Sequence, residues 1–181
     1  MAPGPGEVGM APGPGEADRL AVARLLGRQP EGSFTVAVRD ARGVPSVIVN
    51  APLLDDGTPM PTRFWLVDAE LRAAVSRLES RGGVRQAEAE VEPSSVTQAH
   101  ARYRAERDAA LPDGHVGPKP SGGVGGTRQG VKCLHAHLAW YLAGGDDPVG
   151  RWVAVRLRAG GVTVADPVVE PGGVEERSYG E

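Results

Sequence analysis

Cysteine is almost absent from this chain: Cys133 stands alone in 181 residues. A single cysteine excludes an internal disulfide and fits a reducing compartment. Aromatic residues are scarce as well, at 4%, so Ala, Val and Leu must build most of the core. No apolar run approaches the ~20 residues that a membrane-spanning helix needs. No apolar segment follows Met1, and the first basic residue is Arg19, so no secretory signal is legible. A dominant charge is also lacking. The formal net charge is -3 with both signs interspersed, which leaves no strong field for nonspecific nucleic-acid binding. These absences point to a cytoplasmic protein with no membrane attachment and no strong nucleic-acid signal. They name no partner.

What is present fits one folded unit with ragged ends. Hydrophobic residues make up 40% of a chain long enough to enclose a real core. Glycine and proline gather at the termini and in one loop. Met1-Ala2-Pro3-Gly4-Pro5-Gly6-Glu7 recurs as Met10 to Glu16. This repeat predicts a disordered tail over 1–16, with Met10 as an alternative start. Residues 17–158 read as a single α+β domain, and 159–181 as a flexible extension with one edge strand at Val162-Thr163-Val164.

The domain opens on a helix from Ala17 to Gly27, with an apolar stripe of Leu20, Val22, Ala23 and Leu26. Strands follow at Phe34 to Val38, Val44 to Asn50 and Arg63 to Val67. Arg42-Gly43 marks a hairpin between the first two. The connections are too short for parallel crossovers, so the sheet is small and antiparallel. Asp68 caps a second helix that stops at Gly82-Gly83. Val84 to Glu92 is weakly amphipathic. A polar helix runs from Pro93 to about Leu111, with Arg102, Arg104, Glu106, Arg107 and Asp108 mostly solvated. Pro112 to Gly130 is a long loop, and loops of this length are functional or disordered. Several helices therefore cover a small sheet.

Chemistry gathers at Val131 to Ala143. Helical spacing puts Val131, Leu134, Leu138 and Leu142 on one face. On a regular helix Cys133 and His137, four apart, share the opposite face with Trp140, and His135 lies nearer the apolar stripe. Cys133 and His135 can grip one metal only if Cys133 still belongs to the loop. Three readings stand open. Both residues belong to the core; or they are half of a metal site, completed by carboxylates or by His100 and His115; or Cys133 is a nucleophile assisted by a nearby histidine. Local sequence alone favours the core reading, then metal, then nucleophile.

Ser121 to Lys132 imitates a phosphate-binding loop but lacks its pattern. Val131 separates Gly130 from Lys132, and Cys133 replaces the hydroxyl residue, which excludes a nucleoside triphosphatase of that kind. A weaker anion site survives, made of Arg128, Lys132 and free helix amides.

Four blocks together resemble the domain of unknown function 501 family. They are Pro59-x-Pro61-Thr62-x-Phe64-Trp65-Leu66, Ala74 to Glu79, Val131-Lys132-Cys133-Leu134-His135-Ala136, and Asp147-Pro148-Val149-Gly150. The family is largely actinobacterial and has no established activity, and the resemblance spans about Arg19 to Trp152. Members often carry cysteine where this chain has Asp40 and Asp68. The resemblance therefore implies a ligand set of Asp40, Asp68, Cys133 and His135 for a metal such as zinc. The expected function is a metal-supported or interaction domain centred on Cys133 and His135. The alternative is an enzyme or binding protein that takes a phosphorylated small molecule through Cys133, His135 and the basic loop. No reaction or substrate follows from the sequence.

The repeat carries no apolar face, so deleting residues 1–16 is expected to leave the thermal midpoint unchanged. A fall of several degrees in a calorimetric scan would contradict this reading of the tail.

Overall fold

Asp40 turns the chain back on itself. Its Oδ1 accepts hydrogen bonds from the amides of Arg42 (2.9 Å) and Val44 (2.8 Å), and Gly43 takes the left-handed conformation that closes the turn. The strands on either side are β1 (Phe34–Arg39) and β2 (Pro45–Asn50). A third, β3 (Phe64–Leu66), pairs with β2 to complete an antiparallel sheet of order β1-β2-β3. The computed structural model describes residues 14–169. The expected tail over 1–16 falls largely outside them, although helix α1 (Glu16–Leu26) already begins at Glu16.

Alternation along β2 and β3 sends side chains to opposite faces of the sheet. Ile48 joins Val22, Phe34 and Val67 in a small cluster beneath α1. Val47, Phe64 and Leu66 face the main core. That core is built by α2 (Ala69–Ser80), α3 (Gly83–Glu90), α4 (Pro93–Ala109), α5 (Leu134–Leu142) and α6 (Pro148–Ala159). The fold is α+β, one domain with a three-stranded antiparallel sheet and, among the described residues, six α-helices. None of these helices is long and apolar enough to cross a membrane.

The centre of the molecule is α5. Leu134, Ala136, His137, Leu138, Ala139, Trp140 and Leu142 are all buried, as expected for a helix enclosed on every side. An aromatic chain joins it to the sheet: Trp140 meets Tyr103 edge-on at 5.3 Å, and Tyr103 meets Phe64 at 6.0 Å. Gly150 lets α6 cross α5 closely, because a side chain there would strike the His137 carbonyl and Tyr141. This accounts for the glycine in the Asp147-Pro148-Val149-Gly150 block.

Four expectations need correction. The helix expected from Val131 starts at Leu134, with Cys133 extended at its N-cap (φ -150, ψ 112). Val162 to Val164 is not a strand; Val164 is buried, and the Arg158 guanidinium grips its carbonyl. The segment past Ala159 is thus tied to the domain up to Val168, whose amide reaches the Leu142 carbonyl. Arg107 is not solvated. It is 1% exposed, and its guanidinium holds the carbonyls of Ser121 and Gly122. That contact organises the end of the long loop, which closes in a short 3-10 turn at Val124–Gly126.

The Asp147 carboxylate secures the α5–α6 junction. Its Oδ1 caps α6 by accepting from the amides of Val149 and Gly150, and its Oδ2 accepts from His137 Nδ1 at 2.7 Å. Both side chains of that pair are fully buried. Removing one partner of such a pair leaves the other stranded away from water. Asp147→Ala is therefore expected to lower the unfolding free energy by about 3–5 kcal/mol, measured by urea titration. A loss below about 1 kcal/mol would be that of an ordinary substitution and would contradict the clamp.

Candidate functional site

Cys133 is extended just before α5, and two carboxylates hold the chain on either side of it. Glu79, at the end of α2, accepts the Leu134 amide at 2.7 Å. Glu88, from α3, accepts the Val131 amide at 2.9 Å. A carboxylate is the natural partner of a helix N-terminus, where amides are unpaired and the dipole is positive. One of the amides expected to be free there, that of Leu134, is thus taken by Glu79. Lys132, within this segment, and Arg128, ahead of it, are both exposed.

With Cys133 outside the helix and His135 on its first turn, the two side chains meet. Sγ of Cys133 lies 3.9 Å from Nδ1 of His135, and Nδ1 lies 3.3 Å from Glu79 Oε1. The three donor atoms all fall within 4.8 Å of one another. On its other side the His135 ring is anchored, with Nε2 3.2 Å from the Arg72 carbonyl and 3.3 Å from the Ser76 hydroxyl. A carbonyl only accepts, so Nε2 carries a proton, and Nδ1 faces the sulfur and the carboxylate, accepting from the thiol when the ring is neutral and donating when it is protonated.

The pair is electrostatically coupled. Burial opposes ionisation of Cys133, but His135 and the Ala136 amide outweigh it and hold the thiol below its ordinary range. Burial likewise opposes protonation of His135, but Cys133 and Glu79 outweigh it and raise the imidazole. Both shifts favour a thiolate beside an imidazolium. The site opens onto a groove of about 590 Å³. Its walls come from the end of α1 (Leu26), all of β3, one face of α2 and the start of α5.

The carboxylates of the expected ligand set are engaged elsewhere. Asp40 closes the β1–β2 turn and pairs with Arg42 at 2.8 Å. Asp68 caps α2 through the Leu71 amide at 2.9 Å. Neither belongs to the Glu79–Cys133–His135 group. These are short-range duties of aspartate at turns and helix starts, and Glu79 is the carboxylate that lies beside Cys133 and His135. Its one sequence signal is its position at the end of the Ala74 to Glu79 block.

The remaining histidines have structural partners. His137 turns into the core toward Asp147, away from Cys133, and its Nε2 is buried without a partner among the described residues. His100 is buried, accepts the Val124 amide on Nδ1 and donates from Nε2 to the Gly130 carbonyl. Burial lowers its basicity and keeps the ring neutral. His115 sits 3.2 Å from the Pro118 carbonyl.

The Cys133–His135 coupling predicts a reactive thiol in metal-free protein. The pH midpoint of its iodoacetamide alkylation should lie below that of a free cysteine, about 8.5. His135→Ala removes the group that does most to favour the thiolate, so the midpoint should move up. An unchanged midpoint in that variant would refute the coupling.

Comparison with known proteins gives one family. The family model described as protein of unknown function (DUF501) matches residues 36–155. No curated protein and no solved structure matches the chain. The matched span holds most of β1, the whole of β2, β3 and α2 to α5, and all three grouped donors; it leaves out α1 with its groove residue Leu26. The chain belongs to the DUF501 family of proteins of unknown function.

Proposed function

We propose that Glu79, Cys133 and His135 bind one divalent transition-metal ion, with a fourth coordination position open to the groove. The observation that carries this reading is the convergence of Cys133 Sγ and Glu79 Oε1 on Nδ1 of His135. Ordinary zinc–ligand bonds at tetrahedral angles put neighbouring ligand atoms roughly 3.4–3.6 Å apart. The separations of 3.9 Å and 3.3 Å at His135 bracket that range. The Arg72 carbonyl, receiving the Nε2 proton, supplies the outer support that metal-bound histidines ordinarily have.

The donor types narrow the ion. A thiolate with an imidazole selects zinc or a similar borderline metal over magnesium or calcium, which prefer all-oxygen sites. Two anionic ligands and one neutral ligand balance a divalent charge. Three protein ligands with an open side match the pattern of a reactive metal site more than a closed structural one. This supports a metal-dependent binding or catalytic domain and leaves the reaction unnamed.

A second reading rests on the thiolate–imidazolium coupling of Cys133 and His135. In it Cys133 acts directly as a nucleophile in the groove, with no metal. The two readings differ in one measurement. Protein purified without a tag is expected to hold about one zinc per chain by elemental analysis, and the metal should shield Cys133 from alkylation. Cys133→Ala, His135→Ala and Glu79→Gln should each lower metal content. Metal-free protein that takes up neither zinc nor cobalt, yet alkylates rapidly near neutral pH, would replace the metal reading by the nucleophile reading.

A further inference from the structure

The groove beside Cys133 and His135 holds a guanidinium that no acid of the protein answers. Leu26, Trp65, Ala69 and Ala73 give the groove an apolar lining, and among the described residues no carboxylate lines it. Arg72 is the permanent charge on its wall. It forms no ion pair among the described residues. The nearby Arg28 differs: it lies over the Trp65 ring at 5.3 Å but pairs with Glu31. The Arg72 Nη1 donates to the Leu25 carbonyl at 2.8 Å, which holds the guanidinium at the end of α1. Its Nε and Nη2 have no protein partner among the described residues. Those two nitrogens form one edge of the guanidinium fork, and such an edge matches the two oxygens of a carboxylate. Ser76 lines the same groove four residues further along α2, with its hydroxyl 3.3 Å from His135 Nε2. Residues four apart share a helix face, so α2 presents the fork and the site to one space.

We propose that the groove binds a small carboxylic acid with an apolar body, its carboxylate on the Arg72 fork and its other end beside Ser76, Cys133 and His135. What the site does to that far end rests on the metal reading above; the Arg72 contact does not. An apolar lining with a few polar groups is the usual build of a small-molecule site, and the groove's 590 Å³ falls within the customary range of about 300–1,000 Å³. Charge decides the head group. Arg128 and Lys132 do not line the groove, so a phosphate dianion would meet one guanidinium among apolar side chains. Its second charge would lose water without gaining a partner, which is costly. A carboxylate carries the single charge that Arg72 matches. Leu26, Trp65 and the two alanines of α2 then cover the apolar body.

The test uses the full chain, stripped of metal by a chelator. Hexanoate, octanoate and phenylbutanoate, each beside its primary amide, are titrated by ligand-observed NMR, with hexyl phosphate as a further probe. The acids should bind about tenfold or more tightly than their amides, the order of one charge-assisted hydrogen bond. Arg72→Met keeps the apolar stem, removes the fork and should erase that preference. Arg72→Lys keeps the charge without the fork and should reduce it. A merely structural loss would weaken acid and amide alike and leave the preference in place. Ala73→Leu adds bulk at an exposed position of the groove and should weaken both. Bound acid should also slow the alkylation of Cys133, which lines the same groove. Failure of every acid to bind, amides that bind equally well, or a preference that survives Arg72→Met overturns the carboxylate contact. Tighter binding of hexyl phosphate overturns the choice of head group, and binding without protection of Cys133 overturns the placement. Acid binding that appears only after cobalt loading would put the carboxylate on the metal and overturns the Arg72 anchor. Failure to take up zinc or cobalt overturns the metal reading alone, since the acid-over-amide preference is measured on stripped protein.

Discussion

Everything near the site follows from enclosing α5 on all sides. A helix buried this completely cannot leave its terminal amides or its polar side chains to water. Several therefore draw a partner from another element. Glu79 of α2 takes the Leu134 amide, Glu106 of α4 takes the Trp140 indole, and Asp147 takes the His137 ring. Glu88 of α3 holds the lead-in at Val131. These contacts fix the helix along its length and bring α2 against its start. Glu79, Cys133 and His135 meet because the first of these needs had to be met.

The same carboxylate has two roles that reinforce one another. Glu79 satisfies the helix terminus, and it also raises the basicity of His135 while opposing the thiolate of Cys133. A cation placed among the three would relieve the repulsion between carboxylate and thiolate. Protonation of His135 relieves part of the same repulsion, in line with its raised basicity. Desolvation works against every charged form in the group, so the balance depends on all three members together.

The groove draws on parts of the chain inside and outside the span that the family model matches. Its donors and the β3 edge lie within the span matched by the family model, whereas Leu26 comes from α1, outside it. The Arg39–Asp18 ion pair and the Arg72 contact to the Leu25 carbonyl hold α1 against that span. One wall of the groove therefore lies outside the matched span, while the donors at its end lie inside it.

Much of the fold is legible in the residues. Alternating β-branched runs at Phe34 to Val38 and Val44 to Asn50, with Arg42-Gly43 between them, can only pair locally, because period-two patterning and a tight turn act over a few residues. The Asp68 cap and the glycine stop of α2 are local for the same reason. The start of α6 is harder to read: Asp147 and Pro148 also serve as punctuation after α5, and only the Asp147 cap on Val149 and Gly150 makes them a helix start. Arg107 reads as solvated because charge belongs at the surface by default, and only the loop carbonyls of Ser121 and Gly122 explain its burial. The site divides along the same line. Cys133 and His135 stand out by rarity and spacing, but the spacing allows both a helical and an extended Cys133. The choice between them is made by Glu79, 55 residues away from Leu134 in sequence, whose carboxylate sets where α5 begins. Sequence determined which residues had chemistry to offer. Tertiary structure decided which of them meet, since a helix start buried in the core takes its partner from whatever element packs against it.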